Sequence, residues 1–170
     1  MGTRGAIGYF GKLDGENLHK VTYNHYDSYP SYLGKKVVEY IQSRDSDVDN
    51  IREDFKKIEL VEDGDNNNYH DLRDLQGDLD GYSKVGKMID NQSFLHDSLF
   101  CEWGYIINMN TKKLEIYRGF SDGKVKGRYK DVEKDKNGYG GVSLLKSIPL
   151  EDVTEEMMDK IESEVYECNS

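Results

Sequence analysis

The chain has 170 residues, enough for one domain with a core of its own. Charged residues make up 33% of it and apolar residues 36%, so that core is modest and the surface is dense with charge. The formal net charge of −10 excludes a whole-chain basic footprint for nucleic-acid backbone and opposes binding to anionic membranes; it suits a cationic partner.

From the N-terminus, Thr3 to Gly11 reads as a glycine-punctuated strand. Asp14-Gly15 marks a turn, and Leu18 to Tyr23 reads as the returning strand. Gly5, Gly8 and Gly11 weaken such a strand, but they let another element or a ligand approach the backbone closely. Pro30-Ser31 opens a helix with Ser31 as N-cap and Leu33, Val37, Val38 and Ile41 as its apolar stripe. A second helix begins within 45–49, where acidic residues suit a helix N-terminus, and buries Val48, Ile51, Phe55 and Ile58. Residues 62–81 read as a polar surface loop with a short helix around 72–79. Val85, Met88 and Ile89 are spaced to line one helical face. The strongest β signal runs from Phe100 to Phe120: Trp103, Tyr105 and Ile107 alternate along one strand, Asn110-Thr111-Lys112 turns, and Leu114, Ile116 and Tyr117 return. The Lys-, Asp- and Gly-rich segment 121–141 reads as a solvated hairpin region, and Val142 to Ile148 as a last strand stopped by Pro149. Thr154 caps a C-terminal helix with Val153, Met157, Met158, Ile161 and Val165 inward. Residues 151–170 carry eight acidic residues and one Lys, which makes a solvated face or a docking surface. Strands grouped by hairpins, with helices grouped between them and no repeat or linker, predict an α+β fold over residues 1–170. This is a single domain with a mainly antiparallel sheet of about five or six strands and three or more helices.

Residues 1–12 lack an apolar segment long enough for a signal peptide, and no run approaches the ~18 apolar residues of a membrane span. Met1-Gly2 invites N-myristoylation, but Ala6 stands where that signal needs Ser or Thr. Cys101 and Cys168, without metal-ligand spacing, read as reduced thiols, so a cytoplasmic setting is expected.

The densest chemistry lies in Tyr23 to Gly34, where a His, an Asp, an Asn, two Ser and four Tyr fall within twelve residues. Asn24, His25, Asp27 and Ser28 fall between a strand end and a helix start. His25 has a reference pKa of ~6.5 and suits acid–base work near neutrality. Asp27 would orient it if the strand continues that far, putting both on one face, and Ser28 would be nucleophile or ligand contact. The same residues also suit an Asx-type turn leading to Pro30. Arg4, in the first strand, falls near the same sheet end and suits a carboxylate or phosphate. Tyr23, Tyr26, Tyr29 and Tyr32 recur every third residue among thirteen Tyr, and large rigid side chains with polar tips are over-used at interfaces.

Other motifs are incomplete. An N-terminal nucleophile is disfavoured, because loss of Met1 exposes Gly2 rather than Thr3. Asp63, Asp65, Asn67, Asp71 and Asp74 follow an EF-hand ladder, but Asn68 replaces its glycine and Asp74 its bidentate Glu. His19, His25, His70 and His96 lack zinc spacing, and 138–141 lacks the Lys-Ser/Thr of a phosphate loop. No metal or cofactor is expected.

The pattern Thr3-Arg4-Gly5 followed by Tyr23-Asn24-His25-x-Asp27-Ser28-Tyr29-Pro30-x-x-Leu33-Gly34 resembles uncharacterised proteins of phages and bacterial genomes. The hairpin through Glu102-Trp103 and Leu114-Glu115-Ile116-Tyr117 is similar as well. The resemblance covers about a third of the chain and implies a phage or prophage context without an activity. The expectation is a small acidic protein of the host cytoplasm that binds a host macromolecule with a basic surface, not nucleic acid or membrane directly. It would inhibit a defence or nucleic-acid-handling protein, with Arg4, Asn24, Tyr26, Tyr29 and Tyr32 making contacts. The alternative is a binding protein or hydrolase for a nucleotide-like or carbonyl ligand at the Asn24–Ser28 loop, with His25, Asp27 and Ser28 as its catalytic residues.

Overall fold

Strand β1 (Gly5–Leu13) and strand β2 (Glu16–Asn24) form a hairpin in register from Gly5 opposite Asn24 to Leu13 opposite Glu16. The turn at Asp14 and Gly15 uses positive φ at both residues, 53° and 85°, as a two-residue hairpin demands. Hydrogen bonding carries β2 past both of its expected limits and β1 two residues past Gly11, but β1 starts at Gly5, so Thr3 and Arg4 precede the strand rather than belonging to it. The computed structural model describes residues 3–62, 70–121 and 123–167.

On its other side β1 pairs with β5 (Trp103–Asn108), in parallel, with Gly5 beside Trp103. Strands β5 and β6 (Lys113–Arg118) form the expected hairpin, and β6 pairs antiparallel with β7 (Ser143–Pro149). The sheet order is β2-β1-β5-β6-β7. The fold is α+β, as expected, with one parallel pairing inside a mainly antiparallel sheet. A small parallel pair, β3 (Glu59–Val61) with β4 (Lys87–Ile89), stands apart from it.

The helices pack on one face. A wide turn at Pro30–Gly34 leads into α1 (Lys35–Ser43), whose stripe of Val37, Val38 and Ile41 is buried with Leu33. Ser31 is not the N-cap: its hydroxyl donates to Glu162 Oε1 at 2.8 Å on the C-terminal helix, which ties the two segments together. Helix α2 (Val48–Lys57) is capped by Asp47, whose carboxylate accepts from the Asp49 amide at 2.9 Å. The short helix expected around 72–79 divides into one turn, α3 (His70–Arg73), and α4 (Leu79–Val85), capped by Asp78. Val85, Met88 and Ile89 do not share a helical face. Gly86, at φ 80°, ends α4, Val85 faces solvent, and Met88 and Ile89 are buried in β4. Helix α5 (Glu155–Glu167) starts at Thr154, whose hydroxyl accepts from the Met157 amide.

Ile7, Tyr9, Trp103, Tyr105, Ile107, Leu114 and Ile116 form the sheet side of the main core, against α1, α2, α4 and α5. The opposite face carries a second core of Ala6, Val21, Ile106 and Tyr117 beneath Leu95, Cys101, Tyr129 and Val142. Residues 121–141 therefore do more than lie in solvent: among the described ones no hairpin strand forms, and they roof this second core. Arg128 fixes the roof with an ion pair to Glu115 at 2.8 Å and by lying 3.7 Å from the Phe10 ring centre. Of the EF-hand ladder, residues 63–67 lie outside the described ones. Among the described residues no His, Cys, Asp or Glu group of metal-binding size occurs, and no helix is long and apolar enough to cross a membrane.

Candidate functional site at the sheet end

The residues singled out from the sequence converge on one end of the large sheet, where β1 begins and β2 ends. Asn24, the last residue of β2, is buried; its amide donates to Ser28 Oγ at 2.9 Å and to the Tyr26 carbonyl. Asp27 adopts a left-handed conformation, φ 37°, and reverses the chain. Ser28 thereby tucks under β1, fully buried, with its carbonyl accepting from the Tyr105 hydroxyl at 2.8 Å. Asn24 and Ser28 together form the buckle that holds the loop on the sheet.

His25, Tyr26 and Asp27 project from that buckle and are exposed. His25 is fixed at two points: its backbone amide donates to Gln76 Oε1, and its Nδ1 shares a 2.7 Å hydrogen bond with the Tyr23 hydroxyl. The strand ends before Asp27, so His25 and Asp27 do not share a strand face as extension would have placed them. The His25 ring contacts Tyr23 and Tyr26 instead. Ser28 Oγ is occupied by Asn24 and shielded from solvent, so these three side chains do not form a relay in this conformation.

Arg4 lies at this same end. Its backbone amide donates to Glu102 Oε2 at 3.0 Å, and its guanidinium sits 5.8 Å from the Phe100 ring centre. Burial raises the Tyr23 pKa, and the nearby Arg4 charge offsets part of that rise. Tyr29 is half-buried, its ring centre 6.1 Å from that of Tyr166. Tyr32 is exposed, with the Lys36 ammonium 4.8 Å from its ring centre. The every-third-residue tyrosines thus diverge around the sheet end rather than forming one stripe.

Two concavities flank the loop. The larger, a cleft of about 710 Å³, is walled by Tyr23, His25, Tyr26 and Phe94, with Leu72, Tyr82 and Ile89 as apolar lining and Asn91, Arg73, Asp74 and Asp97 among its polar groups. The smaller, about 340 Å³, lies between Thr3, Arg4, Tyr29, Phe100, Glu102 and Phe120. Asn91, Phe94 and Asp97 escaped the sequence reading because residues 82–99 have no clear period. The turn-forming run Asp90-Asn91-Gln92-Ser93 is the available signal that the chain breaks there; in the structure it leads into a short 3-10 helix, Gln92–His96, which carries Phe94. Compared with known proteins, the chain matches no family model, no curated protein and no solved structure.

Proposed function

We propose that the chain is a binding protein that docks this sheet end onto the basic surface of a host protein, as an inhibitor of a defence or nucleic-acid-handling protein in a phage or prophage setting. The observation that carries the reading is the exposure of aromatic side chains around the sheet end. Among the described residues, Tyr26, Tyr32, Phe100, Phe120 and Tyr166 are large side chains that keep between 42% and 62% of their surface in water. They come from four separate parts of the chain. Phe100 and Phe120 meet at the smaller hollow beside Tyr29, Tyr29 contacts Tyr166, and Tyr26 leans on His25. Burying aromatic side chains at an interface is what most hot spots consist of, and an isolated chain gains nothing from holding them in solvent.

Charge supplies the partner's sign. The net charge of −10, with the acidic α5 bordering the patch through Glu162 and Tyr166, steers association toward a positive surface and away from nucleic acid itself. The test is a side-by-side capture from host lysate with wild-type chain and the double variant Phe100→Ser/Phe120→Ser. A stoichiometric partner that the wild type retains, that salt weakens and that the double variant loses supports the reading. A partner held equally by both chains, or no partner for either, sinks it.

A further inference from the structure

We infer that the larger cleft beside His25 is a binding site for a planar nitrogen heterocycle of neutral or positive charge, a nucleobase or nucleoside. This does not depend on the docking of a protein at the neighbouring hollow. At about 710 Å³ the cleft falls within the size range of small-molecule sites. Its wall is a run of rings in contact: Phe94 to Tyr23 with centres 5.0 Å apart, Tyr23 to His25 at 5.8 Å, and His25 to Tyr26 at 4.7 Å. The rings meet edge-to-face or tilted, at 83°, 46° and 73°, so a flat aromatic ligand would stack on the face of one of them beside aliphatic Leu72 and Ile89.

Two polar groups on the lining are oriented before any ligand arrives. Asn91 Oδ1 accepts from the Tyr23 backbone amide at 3.0 Å and from the Thr22 hydroxyl at 3.3 Å. A backbone amide only donates, so the oxygen of Asn91 must face it. The Asn91 Nδ2 group is left as a directed donor on the cleft lining. His25 is held at Nδ1 by Tyr23, which leaves Nε2 as a second directed group whose role is set by the tautomer. A pairing edge with adjacent donors and acceptors matches such a set, as an aliphatic ligand would not.

The charge of the whole chain chooses within this class. On the lining Asp74 and Asp97 are balanced by Arg73 and by Arg4 beside Tyr23. The net charge of −10 opposes the approach of a phosphate ester, so the nucleoside is favoured over its nucleotide.

Titration calorimetry on the full chain with adenosine, guanosine, cytidine and uridine, each beside its 5′-monophosphate, tests the assignment. At least one nucleoside is expected to bind with one-to-one saturation and more tightly than its monophosphate. His25→Ala and Tyr26→Ala, both at exposed positions, are expected to weaken it by about fivefold or more. Tyr32→Ala, outside the cleft, should leave it unchanged. Absence of saturable binding for every nucleoside overturns the proposal, as does a monophosphate that binds as tightly as its nucleoside. Binding that survives both cleft substitutions also overturns it. Because Phe100 and Phe120 do not line this cleft, their double substitution leaves nucleoside binding intact even if it removes a protein partner.

Discussion

Gly5 and Ser28 lie so close that only a glycine fits: a Cβ on residue 5 would stand 2.6 Å from the Ser28 Cβ, 2.7 Å from its Oγ and 2.7 Å from the Trp103 carbonyl oxygen. Two segments more than twenty residues apart in the chain are thereby one structural unit. The first strand lacks a side chain where the loop after the second strand inserts one. The Asn24–Ser28 hydrogen bond then closes the loop over that contact.

Gly5→Ala should therefore be destabilising even though alanine has no objection to a strand. Two of the three crowded neighbours belong to a buried loop and the third is backbone, so nothing flexible can yield. Overpacking of this kind costs about 1–3 kcal/mol. At this chain length each kcal/mol moves the melting temperature by about 2–4 °C. Thermal unfolding of the variant checks the magnitude, and loss of the Asn24–Ser28 contact by NMR checks the cause. A melting temperature equal to wild type would mean that the loop is not anchored by this contact.

This coupling also shows what the sequence could and could not reveal. The helical stripe at Val37, Val38 and Ile41 and the alternation from Trp103 to Ile107 were legible, because burial on one face imposes a period of 3.6 or 2. The glycines at 5 and 8 signalled a close approach, but not of what. The sequence carries no marker that Ser28 is the partner of Gly5, or that Lys20 and Val21 backbone crowd Gly8. The parallel pairing of β1 with β5 was equally hidden, since it joins segments almost a hundred residues apart. The site residues were found as a cluster because they are dense in the chain. Their division into a buried buckle, Asn24 and Ser28, and an exposed rim, His25 and Tyr26, depends on the single chain reversal at Asp27. Asn91 and Phe94 enter the cleft wall by tertiary packing alone.

Acid should lower the stability of this protein in two stages, the first set by His19. That ring is hydrogen-bonded to the Tyr129 hydroxyl at 2.9 Å beneath the 121–141 roof. Burial, and then the positive charge of Arg128, lower its pKa to about 4. The unfolded chain, with a histidine pKa of ~6.5, binds the proton first, so stability is whole above ~6.5 and falls as the pH drops from there toward the folded value. Urea midpoints measured between pH 7 and pH 4 should fall across this window. His19→Gln, which keeps a hydrogen-bonding group toward Tyr129, should flatten the slope. An unchanged slope in that variant would assign the titration elsewhere.

The second stage belongs to Asp54. Burial by itself would raise its pKa, but hydrogen bonds from the Ser83 and Tyr40 hydroxyls and from Arg44 outweigh it, and the carboxyl is held below the ordinary carboxylate value. Its contribution is fully present above the unfolded pKa of ~3.9 and is lost as the pH falls through the lower folded value. Asp54→Ala leaves the Tyr40 and Ser83 hydroxyls without their buried acceptor, while Arg44 keeps its pair with Asp80, and should cost about 1–3 kcal/mol for each hydroxyl at neutral pH, read from urea unfolding. The acid limb below pH 4 should flatten in the same variant, whereas the His19 limb stays.

Charge reversal on α5 addresses the proposed partner. Glu156 and Glu164 are exposed; Glu164→Lys should shift stability by no more than about 0.5 kcal/mol, and Glu156→Lys, in the first turn of α5 where the helix dipole favours an acid, should cost up to about 1 kcal/mol. The association rate for a basic partner should fall, and its salt dependence should weaken with it, because steering acts before contact. Surface plasmon resonance across salt concentrations separates the two effects. An unchanged association rate would mean that the acidity of α5 serves solvation only.

Asp27 offers the sharpest separation of conformation from chemistry in the loop. Its φ of 37° lies where a side chain is costly for most residues and glycine is at ease. If its contribution is to reverse the chain, Asp27→Gly should melt at or above the wild-type temperature and keep both the docking and the nucleoside-binding behaviour. Asp27→Val, a β-branched residue forced into the same turn, should lose about 1–2 kcal/mol. A catalytic or ligand-binding carboxylate differs in the binding assays alone, since glycine would then preserve the melting temperature and abolish function. Melting curves and binding assays on the two variants distinguish these cases. The geometry favours the first: the Asp27 carboxylate makes no hydrogen bond to His25 or Ser28, and the buckle that positions His25 is closed by Asn24 instead.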